Sequence, residues 1–235
     1  MLIPYADDNP TLRVPYVTLG IIAVNVLVFA YQISLPEEAA YEFVRAFAFV
    51  PGELYGFLPP GPAPIPDYLT LVTSMFLHGS LLHLAGNMLY LWVFGNNIED
   101  SMGPLRFTVF YVLCGLAAAF AQAMADFSSD LPMIGASGAI SGVLGAYLIL
   151  HPKANVRNIL LLGIIPLRLN LPAVAVLVFW IVVQAINAAF ALDQMGGVAW
   201  YAHIGGFLAG MALIAKFRDP HVPLFGGARR VGPWA

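Results

Sequence analysis

The chain has 235 residues, 60% of them hydrophobic and only 10% charged, with a formal net charge of -3. Soluble domains carry roughly 25% charged residues, so this composition cannot furnish a water-facing surface and reads as a polytopic membrane protein with a mean hydropathy of +0.81. The small net charge and the lack of a basic run give no indication of a nucleic-acid partner, and none is expected. A single cysteine, Cys114, excludes an internal disulfide and a cysteine-based metal site.

In chain order, residues 1–13 carry Asp7 and Asp8, lack a basic n-region, and lead into an apolar segment too long for a signal-peptide core; this end is read as retained. The first span is predicted at about 14–33, with Asn25 and Gln32 as its strongly polar side chains. Residues 34–66 form an interfacial loop with a short amphipathic helix at 37–48, then a proline cluster that cannot be helical. The approach at 67–80 is apolar enough to lie at membrane depth. A second span follows at about 80–98, a short turn holds Glu99, Asp100, Gly103, Pro104 and Arg106, and a third span runs over about 105–125. The fourth is predicted at 137–150. Residues 158–170 are apolar but too short to span, and Gly163, Pro166 and Arg168 interrupt them, so they read as an interfacial connector. The fifth and sixth spans are predicted at 171–192 and 198–217. The expected fold is an all-α, six-span bundle over 14–217 between cytoplasmic tails at 1–13 and 218–235.

Charge asymmetry orients this bundle. With the N-terminus cytoplasmic, Arg13, Arg106, Lys153, Arg157, Arg168, Lys216, Arg218, Arg229 and Arg230 fall inside and only Arg45 outside, which is nine of the ten basic residues. Ser137, His78, His83 and His203 then lie toward the external ends of their spans, at one depth.

Polar groups at such depth need partners or a wet cavity, because burying a hydroxyl or amide alone costs roughly 2–7 kcal/mol. Ser137 stands between Gly135 and Gly138 at a loop-to-helix junction, where first-turn N–H groups lack intrahelical partners and can hold an oxyanion. GASGA follows the hydrolase elbow GxSxG only in part, with Ala139 at its final glycine, and that elbow needs a preceding strand and an α/β sheet, so the spacing carries little. Gly138, Gly142 and Gly145 on the fourth span, and Gly206 and Gly210 on the sixth, form small-residue faces suited to close helix packing. His203 lies one turn before Gly206 on the same face. If those faces meet, a histidine that can take a proton adjoins the serine hydroxyl. His83 and Asn87 are four apart on one helical face and read either as an oxyanion clamp or as a polar helix–helix contact. A metal reading is poor, since the spacing is not HExxH and Glu99 and Asp100 fall at the opposite face.

HGSLLHLAGN at 78–87, GASG at 135–138, AHIGGFLAG at 202–210 and the turn NNIEDSMGPLRF at 96–107 together resemble the rhomboid family of intramembrane serine proteases, in its six-span prokaryotic form. The resemblance implies Ser137 as nucleophile, His203 as general base and acid, and His83, Asn87 and the Ser137 backbone N–H as oxyanion donors. It assigns supporting positions to His78, Gly135, Gly138, Gly206 and Gly210. It also implies no metal or other cofactor, and transmembrane protein substrates that enter laterally from the lipid bilayer beside the fifth span, under loop 193–199. Some members carry a tyrosine one turn after the nucleophile, stacked on the histidine. Here that position is Ser141, which leaves the orientation of His203 open. The expected activity is endopeptidase cleavage of a transmembrane substrate near the external face of an inner or plasma membrane. A solute carrier would instead need charged residues or paired broken helices at the bilayer midplane.

Overall fold

The computed structural model describes residues 2–62, 64–162, 165–190 and 198–226. Helix α1 (Tyr16–Ser34) begins after Pro15 and stops before Leu35 and Pro36, which turn the chain into α2 (Glu37–Phe47). In α2, Glu37 and Glu38 sit in the first turn and Arg45 in the last, each complementing the helix dipole. Arg45 also pairs with Glu53 at 2.6 Å, tying α2 to the short helix α3 (Pro51–Leu54). Helix α4 (Asp67–Thr73) and a 3-10 turn (Ser74–Phe76) then lead to α5 (Leu81–Tyr90). A π-helical turn (Leu91–Gly95) joins α5 to α6 (Asn96–Met102), and this limb lies at 84° to residues 67–76. The remaining helices are α7 (Pro104–Ala125), α8 (Ser137–Leu150), α9 (Ala173–Phe190) and α10 (Trp200–Phe217).

Among the described residues, α1, α7 and α9 are long and apolar enough to cross a membrane, and the bent 67–102 pair passes the same test taken as one span. Helix α8 has 14 residues, about 21 Å at 1.5 Å per residue, and so falls short of a hydrocarbon core of about 30 Å. It is buried on all sides from Gly138 to Ala146, which makes it the central helix. Five of the six predicted spans contain one of these segments and the sixth contains the 18-residue helix α10, so the mostly helical architecture is compatible with six crossings.

The second limb runs further than the predicted 98. Glu99 and Asp100 lie on α6, and only Gly103, with φ +81°, makes the turn into α7. Buried Glu99 caps α1: its carboxylate accepts from Val17 N at 2.9 Å, Thr18 N at 2.7 Å and Thr18 Oγ1 at 2.7 Å. An acid is favourable there because the first turn of a helix presents unpaired N–H groups.

The connector and the N-terminal segment are strands, an addition to the all-helical expectation. β1 (Leu2–Asp7), β2 (Asn155–Leu162) and β3 (Ile165–Pro172) form one antiparallel sheet in the order β1-β2-β3. The prolines lie on the edge strands, Pro4 beside a register shift in β1 and Pro166 and Pro172 in β3, where a missing N–H is tolerated. Apolar length alone conceals such a hairpin.

β1 delivers Asp7 to the base of the bundle. Its Oδ2 accepts from Tyr147 Oη at 2.6 Å and Asn97 Nδ2 at 2.7 Å, while burial pushes the Asp7 carboxyl up to about 6. The folded chain therefore holds this proton more tightly than the unfolded chain. Its contribution to stability is full below the ordinary value near 3.8 and is lost as pH rises through about 6. Thermal unfolding followed from pH 4 to 7 should show a decline in Tm that Asp7→Asn removes; an identical decline in both proteins would refute this.

Candidate active site

Two backbone devices build the floor of the site. Gly135 has φ +115°, a conformation that disfavours any side chain, and its N–H donates to Ser74 O at 2.9 Å. This places Ser137 as the first residue of α8, after Ala136, so that its N–H is one of those the helix itself leaves unbonded.

Helix α10 approaches α8 backbone to backbone. A Cβ built on Gly206 would run into the Gly138 carbonyl oxygen, and one on Gly210 into the Gly142 carbonyl oxygen. Gly138 and Gly142 themselves turn toward Ala118 and Cys114 of α7. With the helices this close, His203 Nε2 lies 2.8 Å from Ser137 Oγ. Two further bonds set the start of α10: Gln122 Oε1 accepts from Ala202 N at 3.3 Å, and Tyr201 Oη donates to Ala188 O at 3.2 Å.

On the other side of Ser137, Ser80 caps α5 by accepting from His83 N at 3.1 Å. A Cβ on Gly135 would stand 2.9 Å from His83 Nε2 and 3.6 Å from Asn87 Nδ2, so both donors face the backbone just before the serine. His78 is buried behind them with Nε2 2.9 Å from Asn87 Nδ2, which engages one amide hydrogen and leaves the other. Gln32 of α1 holds the His78 backbone at both ends, donating to its carbonyl and accepting from its N–H, each at 3.2 Å. The first span thus has a role in the site that its two polar residues, Asn25 and Gln32, did not announce.

Ser141 does not reach His203; its hydroxyl donates to Ser137 O at 2.6 Å. The imidazole is flanked instead by Trp180, with ring centroids 5.8 Å apart and planes at 39°, and by Trp200 at 6.0 Å and 88°. Its Nδ1 meets Gln184 Oε1 at 2.8 Å. Sequence reasoning missed Trp180 and Gln184. Their signal is a tryptophan and an amide four residues apart on α9, hence on one helical face.

These groups line a cavity of about 700 Å³. His83, Asn87 and Tyr90 of α5 and Trp180 and Gln184 of α9 line it together with Ser137 and His203. Of the segment expected above the site, 193–197 lie outside the described residues, as do Arg229 and Arg230; Val198 and Ala199 line the cavity. A hydroxyl hydrogen-bonded to an imidazole, in a cavity that His83 and Asn87 also line, can support addition to a carbonyl and proton transfer.

A family profile described as "Rhomboid domain" matches residues 66–220, which hold every side chain placed at the site above except Gln32. The chain is 28% identical over 230 residues to the human presenilin-associated rhomboid-like protein, mitochondrial, covering 91% of this chain and 53% of that one. It is 33% identical over 153 residues to rhomboid protein 1, mitochondrial, of Saccharomyces cerevisiae, covering 62% and 42%. It is 37% identical over 78 residues to RHOMBOID-like protein 5 of Arabidopsis thaliana, covering 33% and 25%. The chain spans about half the length of these relatives, or less. With the profile covering most of the sequence, the chain belongs to the rhomboid family of membrane proteins.

Proposed function

We propose that the protein is an intramembrane serine endopeptidase that cleaves transmembrane substrates. The observation that carries this reading is the 2.8 Å approach of His203 Nε2 to Ser137 Oγ in a cavity that also presents His83 and Asn87. Ser137 Oγ adds to the scissile carbonyl as His203 Nε2 takes its proton; the tetrahedral intermediate collapses, the C–N bond breaks, and His203 returns the proton to the leaving amine. Water, deprotonated by the same nitrogen, then hydrolyses the acyl-enzyme. His83, the free Asn87 N–H and the Ser137 backbone N–H hold the oxyanion, each donor lowering the barrier by roughly 2.7–4 kcal/mol.

The shortness of α8 supports a site below the membrane surface, reached by water from one face and by a substrate segment through the side between α5 and α9. The distribution of basic residues supports cytoplasmic termini and an external site. The test is incubation of the purified protein with a fluorophosphonate. Stoichiometric labelling at Ser137 is expected, and none in Ser137→Ala; labelling that survives that substitution would sink the assignment.

A further inference from the structure

We infer that Gln184 is a positioning residue that sets the tautomer and orientation of His203, so that the reaction centre is a Ser137–His203–Gln184 relay of hydrogen bonds; this rests on the serine-protease reading above. The imidazole can serve as base toward Ser137 only if Nε2 carries a lone pair, which requires the hydrogen on Nδ1. Nδ1 lies 2.8 Å from Gln184 Oε1. The amide cannot be turned over without loss, because its Nε2 donates to Trp180 O at 3.3 Å. Reversal would set oxygen against that carbonyl, which only accepts. The carbonyl of α9 thus fixes the amide, the amide oxygen requires Nδ1–H, and Nδ1–H leaves Nε2 bare toward Ser137 Oγ.

Gln184 is buried, at 6% exposure, in an apolar helix. A carboxylate at this position would be a buried charge without a partner whenever His203 is neutral. A neutral amide avoids that and still strengthens its bond as the ring gains a proton. Trp180 and Trp200 pack against the ring, at 39° and 88° to its plane, and the Ser141 hydroxyl is committed to Ser137 O. Gln184 is therefore the group that fixes rotation of the ring in its plane.

The experiment compares unmodified protein, Gln184→Met and Gln184→Glu in detergent. Methionine keeps the length and shape but removes the acceptor; glutamate, held protonated by the apolar helix, keeps a carbonyl oxygen toward Nδ1 and donates its O–H to the Trp180 carbonyl in place of the amide. Gln184→Met should lower kcat and the rate of fluorophosphonate labelling about tenfold, the effect of losing one hydrogen bond to the base, with KM and Tm nearly unchanged. Gln184→Glu should recover most of both rates. Nitrogen-15 spectra of the unmodified protein should show His203 protonated at Nδ1 and not at Nε2. Met and Glu variants equally impaired, a methionine variant that labels normally, or an Nε2–H tautomer would each overturn the inference while leaving Ser137 as nucleophile. No labelling of the unmodified protein would overturn the serine–histidine reading itself and this inference with it.

Discussion

Alanine at Ser137, at His203, or at both is expected to lower peptide cleavage by a similar amount, roughly 10⁴- to 10⁶-fold in kcat. The equality follows from the bond between them. If His203 Nε2 acts by taking the Ser137 proton across 2.8 Å, then without the hydroxyl the base has nothing to activate. Without the base the hydroxyl is a weak nucleophile. The double variant should therefore cost no more than either single one, a failure of additivity diagnostic of two groups acting as one unit. Both side chains are half-buried at the cavity and are truncated rather than enlarged, so Tm should change little. Cleavage of a reporter transmembrane segment measured in the three variants checks this. Independent, multiplying losses would mean that serine and histidine serve different steps.

What could be read without coordinates was the part written in side-chain type and spacing. Ser137, His83, Asn87 and His203 are polar groups in apolar spans, so each stands out against its own segment. The glycines at 138, 142, 206 and 210 mark where two helices can touch. Gln184 was not legible by the same logic, because a single amide in a span reads as an ordinary interior contact until the histidine nitrogen it faces is known. Gln32 and Glu99 were hidden differently. Each satisfies backbone groups of another segment, the His78 loop and the first turn of α1, and backbone carries no sequence signature. The sheet was concealed because Ile159, Leu160 and Leu161 in β2 and Ile165 and Leu167 in β3 make a run whose apolar content suits an interfacial connector as well as strands. Only pairing with residues 2–7, more than a hundred positions away, makes β2 a central strand.

Gly206→Ala is expected to be the most damaging single-carbon change outside the reacting groups. Its added Cβ would meet the Gly138 carbonyl oxygen, and backbone cannot swing aside as a side chain can. Helix α10 would have to move off α8, and such overpacking costs typically 1–3 kcal/mol, occasionally more. The larger consequence is for chemistry. Gly206 is three residues from His203 and Gly138 is next to Ser137, so the contact that is forced open is the one that sets the distance between Nε2 and Oγ. A misplacement of about 1 Å at a reacting pair can cost about 10²-fold in rate. Gly20→Ala supplies the control. It too is a helical glycine in a span, but its Cβ would meet nothing within 4 Å, so Tm should hold or rise slightly. Thermal unfolding and fluorophosphonate labelling of both variants separate the cases: Gly206→Ala should lose stability and about 10²-fold in labelling rate, the size of effect a misplaced pair produces. Equal behaviour of the two alanines would mean that close approach of α8 and α10 does not hold the serine and histidine together.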